Sequence, residues 1–151
     1  MVHTTVWGIG NPLLKDDAAG LEIIKLLEEA QLEGFSLRSC ELAPANYLAT
    51  LKKEQPQRFY LIDAADMGLP AGSLRRFPLE RIADASFTSH DMPLDQILHA
   101  AAGMPQNAWV IAVQPEDTSF GVGLTPKVAD AAQRAASLLA AQRAEEIQEL
   151  E

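Results

Sequence analysis

Short apolar runs recur along the chain, separated by stretches in which apolar residues return every three or four positions; this change of period predicts the order of elements. Val2 to Gly10, rich in β-branched residues, predicts a first strand, and Asp17 to Ala30 a helix. Leu21, Ile24, Leu27 and, less regularly, Ile23 mark that helix's apolar face. Gly34 ends it, Phe35 to Cys40 predicts a short second strand, and Asn46 to Glu54 a shorter helix with Leu48 and Leu51 facing in, closed by Pro56. Phe59 to Asp63 (FYLID) is apolar enough to be a central strand, and the DAADMGLPAG segment that follows has the punctuation of a loop. Ser73 to Phe77 predicts an edge strand. Pro78 to Pro93 has no clean period and reads as a long connection, a length uncommon unless functional. Leu94 to Ala102 predicts a helix and Trp109 to Val113 another central strand. Thr125 is expected to cap a last helix, with Pro126 in its first turn and Val128, Ala132, Ala135 and Leu139 along its inner side.

Strands alternating with helices predict a three-layer α/β/α sandwich around a mostly parallel, twisted sheet. In such sheets ligands bind outside the carboxyl ends of the strands. At 151 residues, with no internal repeat and no Ser/Gly linker, residues 1–151 are expected to form one domain.

Charge and cysteine content narrow the function. Twenty-one acidic side chains stand against 12 Lys plus Arg, for a net charge of −9. That field repels phosphate backbones and anionic lipid, so neither nucleic acid nor a membrane surface is an expected partner. Glu145, Glu146, Glu149 and Glu151 crowd the tail 143–151, which is expected to be a solvated or frayed helix end. Cys40 is the only cysteine, so no intrachain disulfide forms and a reducing compartment fits. The N-terminus does not read as a signal peptide, and the longest apolar run, Ala108 to Val113, is too short to span a bilayer. A cytoplasmic protein is expected, and a monomer, since nothing marks an exposed apolar stripe.

The candidate chemistry begins at GIGNPLLKDDAAG, Gly8 to Gly20. Two glycines after an apolar run suggest a dinucleotide turn, but the third glycine position holds Leu13, Pro12 removes a backbone donor, and Asp16 and Asp17 would face the phosphates. Helix capping explains one aspartate, leaving the other to point into the crevice. Asp63, directly after four apolar residues, is costly there unless paired, hydrated or bound to a metal; a loop-starting Asp bonded to nearby backbone is as good an explanation. Asp66 reads as a turn residue. Among three histidines, His90 alone lies in a connection able to carry it to the sheet's carboxyl edge, although a solvated loop histidine is the commoner case. Converging, Asp17, Asp63 and His90 would form a two-oxygen, one-nitrogen set suited to a borderline divalent ion such as nickel or zinc. Ser89 adjoins His90, but no Gly-x-Ser-x-Gly turn exists to make a serine nucleophile.

At these residues the chain resembles the nickel–iron hydrogenase maturation endopeptidases. GIGNPLLKDDAAG is similar to that family's Gly-x-Gly-Asn … Asp-Asp/Glu-x-x-Gly opening, LIDAADMG to its strand-ending Asp-Ala segment, and SHDMPL to its histidine segment. Gln114-Pro115-Glu116, after an apolar strand, also agrees, so the likeness runs in order over roughly residues 5–140. DMG and HDMPL resemble the branch serving formate-hydrogenlyase-type hydrogenases. The chain departs from the family at Ser39-Cys40-Glu41-Leu42, where an Asp-Gly-Gly segment commonly precedes the Ala-Pro pair seen here as Ala43-Pro44. The resemblance implies a five-stranded α/β/α sandwich, with Asp17, Asp63 and His90 as the metal-contacting and catalytic residues. It also implies an endopeptidase that removes a C-terminal extension from the hydrogenase large-subunit precursor after nickel insertion, the nickel being that of the precursor. An acid pair acting directly on water is the alternative chemistry. A non-catalytic nickel-binding or delivery protein using the same residues is the alternative function, and a small nucleotide-binding module is a second rival.

Overall fold

The computed structural model describes residues 3–84, 86–87 and 107–151. Its strands are β1 (Thr4–Ile9), β2 (Phe35–Glu41), β3 (Arg58–Asp66), β4 (Leu74–Pro78), the two-residue β5 (Ser86–Phe87) and β6 (Ala108–Val113). The helices are α1 (Ala19–Glu29), α2 (Leu48–Glu54) and α3 (Pro126–Ala140). Strand order is β2-β1-β3-β6-β4, parallel throughout except for β4, which runs antiparallel to β6 at one edge. This is the mostly parallel α/β sheet expected from the alternating periods.

Neighbouring side chains in a strand point to opposite faces, so β1, β3 and β6 must be apolar on both. Val6, Ile62 and Ile111 lie in the core under α1 and α3, while Trp7, Leu61 and Val110 lie in the core on the α2 side. In α3, Val128, Ala132, Ala135 and Leu139 are buried as the period predicts. In α1 the buried face is Ala19, Gly20, Ile23, Ile24 and Leu27; Leu21, expected inside, is only partly covered. The shift comes from Gly20, where a Cβ would sit 2.5 Å from the Ile62 carbonyl oxygen and 2.7 Å from that of Ile9. The helix therefore lies against the sheet along its glycine edge.

Four expectations change. Asp63 does not end its strand: β3 continues to Asp66, with Asp63 paired to Ala112 and Ala64 to Val113. The extension is held by β5, antiparallel to Ala65 and Asp66. The connection after β4 is accordingly not structureless, since Leu79–Asp84 forms a 3₁₀ helix before β5. The tail is not frayed: Ala144 and Ile147 are buried. Its backbone pairs with β4 through Arg76 N–H to Gln148 O (3.0 Å) and Leu150 N–H to Arg76 O (2.9 Å). Burial of two apolar side chains and completion of an open strand edge outweigh the self-repulsion of the tail's carboxylates. Finally, Thr125 makes no side-chain cap on α3. His90, Ser89 and the helix expected over Leu94 to Ala102 lie outside the described residues. Among those described, no helix is long and apolar enough to cross a membrane.

Candidate active site

The carboxyl ends of β1, β3 and β6 lead into three segments that meet over one edge of the sheet. The first, after β1, turns through a 3₁₀ helix at Lys15–Ala18 before entering α1. Gly10 starts the turn at φ +151, and a Cβ there would collide with the Asp17 carbonyl oxygen. Only glycine lets the chain fold back this tightly.

The turn's backbone settles whether it holds a phosphate. Asn11 N–H donates to Asp17 Oδ2 (2.8 Å) and Leu13 N–H to Asn11 Oδ1 (2.9 Å). Leu14 and Asp17 N–H close onto Asn11 O and Leu14 O, while Lys15 and Asp16 N–H donate to Gly121 O and Asp117 O. Pro12 has no N–H, so every donor from 11 to 17 is engaged within the protein. A phosphate-binding turn needs those donors pointing outward, so this is not a nucleotide loop.

Asp16 and Asp17 are both fully buried, but neither caps α1. Asp16 reaches across to the segment after β6. Its Oδ2 accepts the N–H groups of Glu116 and Asp117 (2.9 Å each) and the Thr125 hydroxyl (2.7 Å), and its Oδ1 accepts the Thr125 N–H (2.7 Å). Four donors compensate a buried carboxylate that would otherwise be prohibitively costly. They also explain why the Thr125 hydroxyl does not cap its own helix. Asp17, turned the other way, accepts the Asn11 N–H, and the short helix that carries it packs against β3.

Asp63, in β3, is likewise fully buried; its Oδ1 accepts the Ala64 N–H at 2.8 Å. Beyond it, Asp66 is the expected turn residue, accepting the Gly68 N–H. Gln114, immediately after β6, is 7% exposed. Its Oε1 accepts the N–H groups of Met67 (2.6 Å) and Leu69 (3.3 Å), and its Nε2 donates to Asp66 Oδ1 (3.3 Å).

Lys15, the one cation of the first turn, is engaged by Asp117 at 3.0 Å. The Asp117 carboxyl is held down to about 2, first by the Ser119 hydroxyl, then by the Ser119 N–H and the Lys15 ammonium. On the turn's outer side Leu13, Phe120 and Val122 are exposed, and a groove of about 460 Å³ runs from Pro12 and Ala18 to Leu124. Cys40 is buried at the end of β2, where desolvation pushes its thiol up to about 12 and leaves it chemically inert.

The structure thus puts two of the three sequence-predicted residues, Asp17 and Asp63, on neighbouring elements at the carboxyl edge of the sheet. The third, His90, lies outside the described residues, and among those described no three His, Cys, Asp or Glu side chains form a metal-holding group. Sequence reasoning missed the work of Asp16 and Gln114. The doubled aspartate was the signal for the first; the Gln114-Pro115-Glu116 likeness marked the second without giving it a task.

The sequence pattern of the hydrogenase maturation protease (HycI) family matches residues 42–142. The chain is similar to the hydrogenase 3 maturation protease of Escherichia coli, 27% identical over 124 residues that cover 82% of this chain and 80% of the relative. It superimposes on the solution structure of the endopeptidase HycI from E. coli with TM-score 0.86 at 24% identity, covering 99% of this chain and 97% of the other. For the nickel–iron hydrogenase maturation protease HycI of Thermococcus kodakarensis the TM-score is 0.79 at 22% identity, covering 96% and 94%. At those identities the two structural likenesses concern fold.

Proposed function

Because the chain belongs to the hydrogenase maturation protease family, and is therefore a peptidase, we propose that it removes the C-terminal extension of a nickel–iron hydrogenase large-subunit precursor after nickel has been inserted. In this reading Asp17, Asp63 and His90 meet the nickel of the precursor, and the protein works in the cytoplasm as a single-domain monomer.

The observation that carries the reading is the pair of fully buried acids, Asp17 in the 3₁₀ turn that follows β1 and Asp63 in the neighbouring parallel strand β3, three residues before its end. A metal-facing role gives such a pair a reason to persist, because two carboxylates and an imidazole suit a borderline divalent ion. Support for the third member is topological: β5 ends three residues before His90 in the sequence and pairs with Ala65 and Asp66, just beyond Asp63.

The nickel is substrate, arriving in the precursor. Its recognition by Asp17, Asp63 and His90 makes docking conditional on insertion, so selectivity rests on coordination. When bound, the ion also supplies Lewis-acid polarisation to a nearby carbonyl or water. The carboxyl groups of Asp17 and Asp63 would face it as oxygen ligands and are themselves fixed by backbone N–H groups.

The test is the size of a cognate, nickel-loaded large subunit after incubation with Asp17→Ala, Asp63→Ala and His90→Ala. Each is expected to lose cleavage while remaining folded by circular dichroism. Full cleavage by all three variants would discard the site. Nickel binding by the wild type without cleavage of a verified precursor would favour the delivery protein.

A further inference from the structure

Gln114-Pro115-Glu116 occupies the exit of β6 between the two acid-bearing segments, and the reading of the site leaves it without a role. Its two ends hold different segments. Gln114 clasps residues 66–69, the continuation of the strand that carries Asp63, by accepting two N–H groups and donating to Asp66. Its backbone is fixed in turn, Gln114 N–H to Ser73 O and Gly72 N–H to Gln114 O, both 2.9 Å. At the other end, the N–H groups of Glu116 and Asp117 converge on Asp16, the covalent neighbour of Asp17. Asp16 N–H returns a bond to Asp117 O at 3.0 Å.

We propose that Gln114 and Asp16 are positioning residues: through residues 114–117 they fix the separation of Asp17 and Asp63 and so set the geometry offered to the metal. The inference rests on the reading of Asp17, Asp63 and His90 as the metal-facing set. Both are assigned to hold the metal-facing residues in place, not to meet the metal themselves. Their role is that of outer-sphere groups, whose loss typically costs about 10–100-fold in metal affinity or activity. Misplacing a reacting group by about 1 Å can cost about 100-fold.

Each is held for a reason its side chain makes specific. Gln114 must be acceptor and donor at once, because it faces two N–H groups and a carboxylate. Glutamate keeps the acceptor for Met67 and Leu69 but sets like charge against Asp66; alanine loses everything. Asp16 must be acceptor only, because all four of its partners are donors, and an amide would turn one N–H₂ against them.

The first experiment needs no precursor: calorimetric titration of the protein alone with nickel(II), for wild type, Gln114→Ala, Gln114→Glu, Asp16→Asn and Leu51→Ala. The last is a control that loosens the α2 layer away from the bracket. Gln114→Ala and Asp16→Asn are expected to weaken nickel binding by about 10–100-fold. Gln114→Glu should recover part of the loss, and Leu51→Ala should change affinity less than about threefold despite its lower Tm. Cleavage of nickel-loaded precursor is followed in parallel, where kcat/KM should fall in the same order. Affinity unchanged in folded Gln114→Ala overturns the inference. So does a loss no greater than in Leu51→Ala at equal Tm, or the absence of nickel binding by the wild type. Weakened nickel binding in the bracket variants, with no cleavage of a verified precursor by the wild type, would sustain the inference while removing the protease reading. If Asp16→Asn fails to fold, Gln114→Ala decides alone.

Discussion

Two segments are pinned to the sheet in opposite ways. The loop between β6 and α3 is held by side chains: one buried carboxylate, Asp16, gathers four donors from three residues of that loop. The C-terminal tail is held by backbone pairing to β4 and by the burial of Ala144 and Ile147. The second arrangement is what an edge strand ordinarily needs: generic pairing and apolar cover. The first concentrates one charge in the interior and depends on every donor being in place. Such a network tolerates little change and fixes geometry closely, and here it lies beside the acid proposed to meet the metal. The difference separates what keeps the protein folded from what keeps the site in shape.

Substitution can break that comparison. The largest effect is expected from Asp16→Ala, which leaves buried N–H groups of the β6–α3 loop unsatisfied. Urea denaturation should show a loss of about 3–5 kcal/mol, together with loss of cleavage. Ile147→Ala should cost about 3 kcal/mol by the same method, through transfer and cavity terms, yet leave cleavage at low temperature unchanged. A cleavage defect as deep as that of Asp16→Ala would erase the distinction between the two regions.

Smaller effects sharpen it. Cys40, buried under neither segment's control, titrates at about 12 because burial disfavours the thiolate. Its folded value lies above the ordinary 9.0, so its contribution to stability is complete below about pH 9 and is lost as pH rises from 9 towards 12. Thiol labelling at pH 8 should therefore be slow in the native protein and fast in urea. The smallest effect belongs to the half-exposed Lys15–Asp117 pair. Asp117 is depressed from 3.8 to about 2, so its contribution is present above pH 3.8 and lost as pH falls towards 2. Since the Ser119 hydroxyl is the leading cause, carboxyl titration by NMR should move up further in Ser119→Ala than in Lys15→Met.

Much of this was legible in the sequence, because period and burial go together: the five main strands and the described helices fall where the apolar pattern predicts. What was not legible is non-local. Asp63 looked like a strand terminus because a carboxylate interrupts the apolar run and Gly and Pro punctuate the residues that follow, whereas β5 pairing carries the strand three residues further. Thr125 looked like a cap, but a carboxylate 109 positions away takes its hydroxyl. The tail looked solvated because acidic residues outnumber apolar ones, while two well-placed apolar side chains decide its fate. At the site the pattern of acids was visible, and resemblance linked Asp17, Asp63 and His90. No local signal showed that Asp16 and Asp17, adjacent and equally buried, face different tasks.

The account's central claim is that the peptidase acts on a precursor only once nickel is seated, through Asp17, Asp63 and His90. The direct measurement is intact-mass spectrometry of a cognate large-subunit precursor incubated with the wild-type protein, nickel-loaded and nickel-free in parallel. The account predicts loss of one C-terminal peptide from the loaded precursor alone. Equal cleavage of both forms would contradict it.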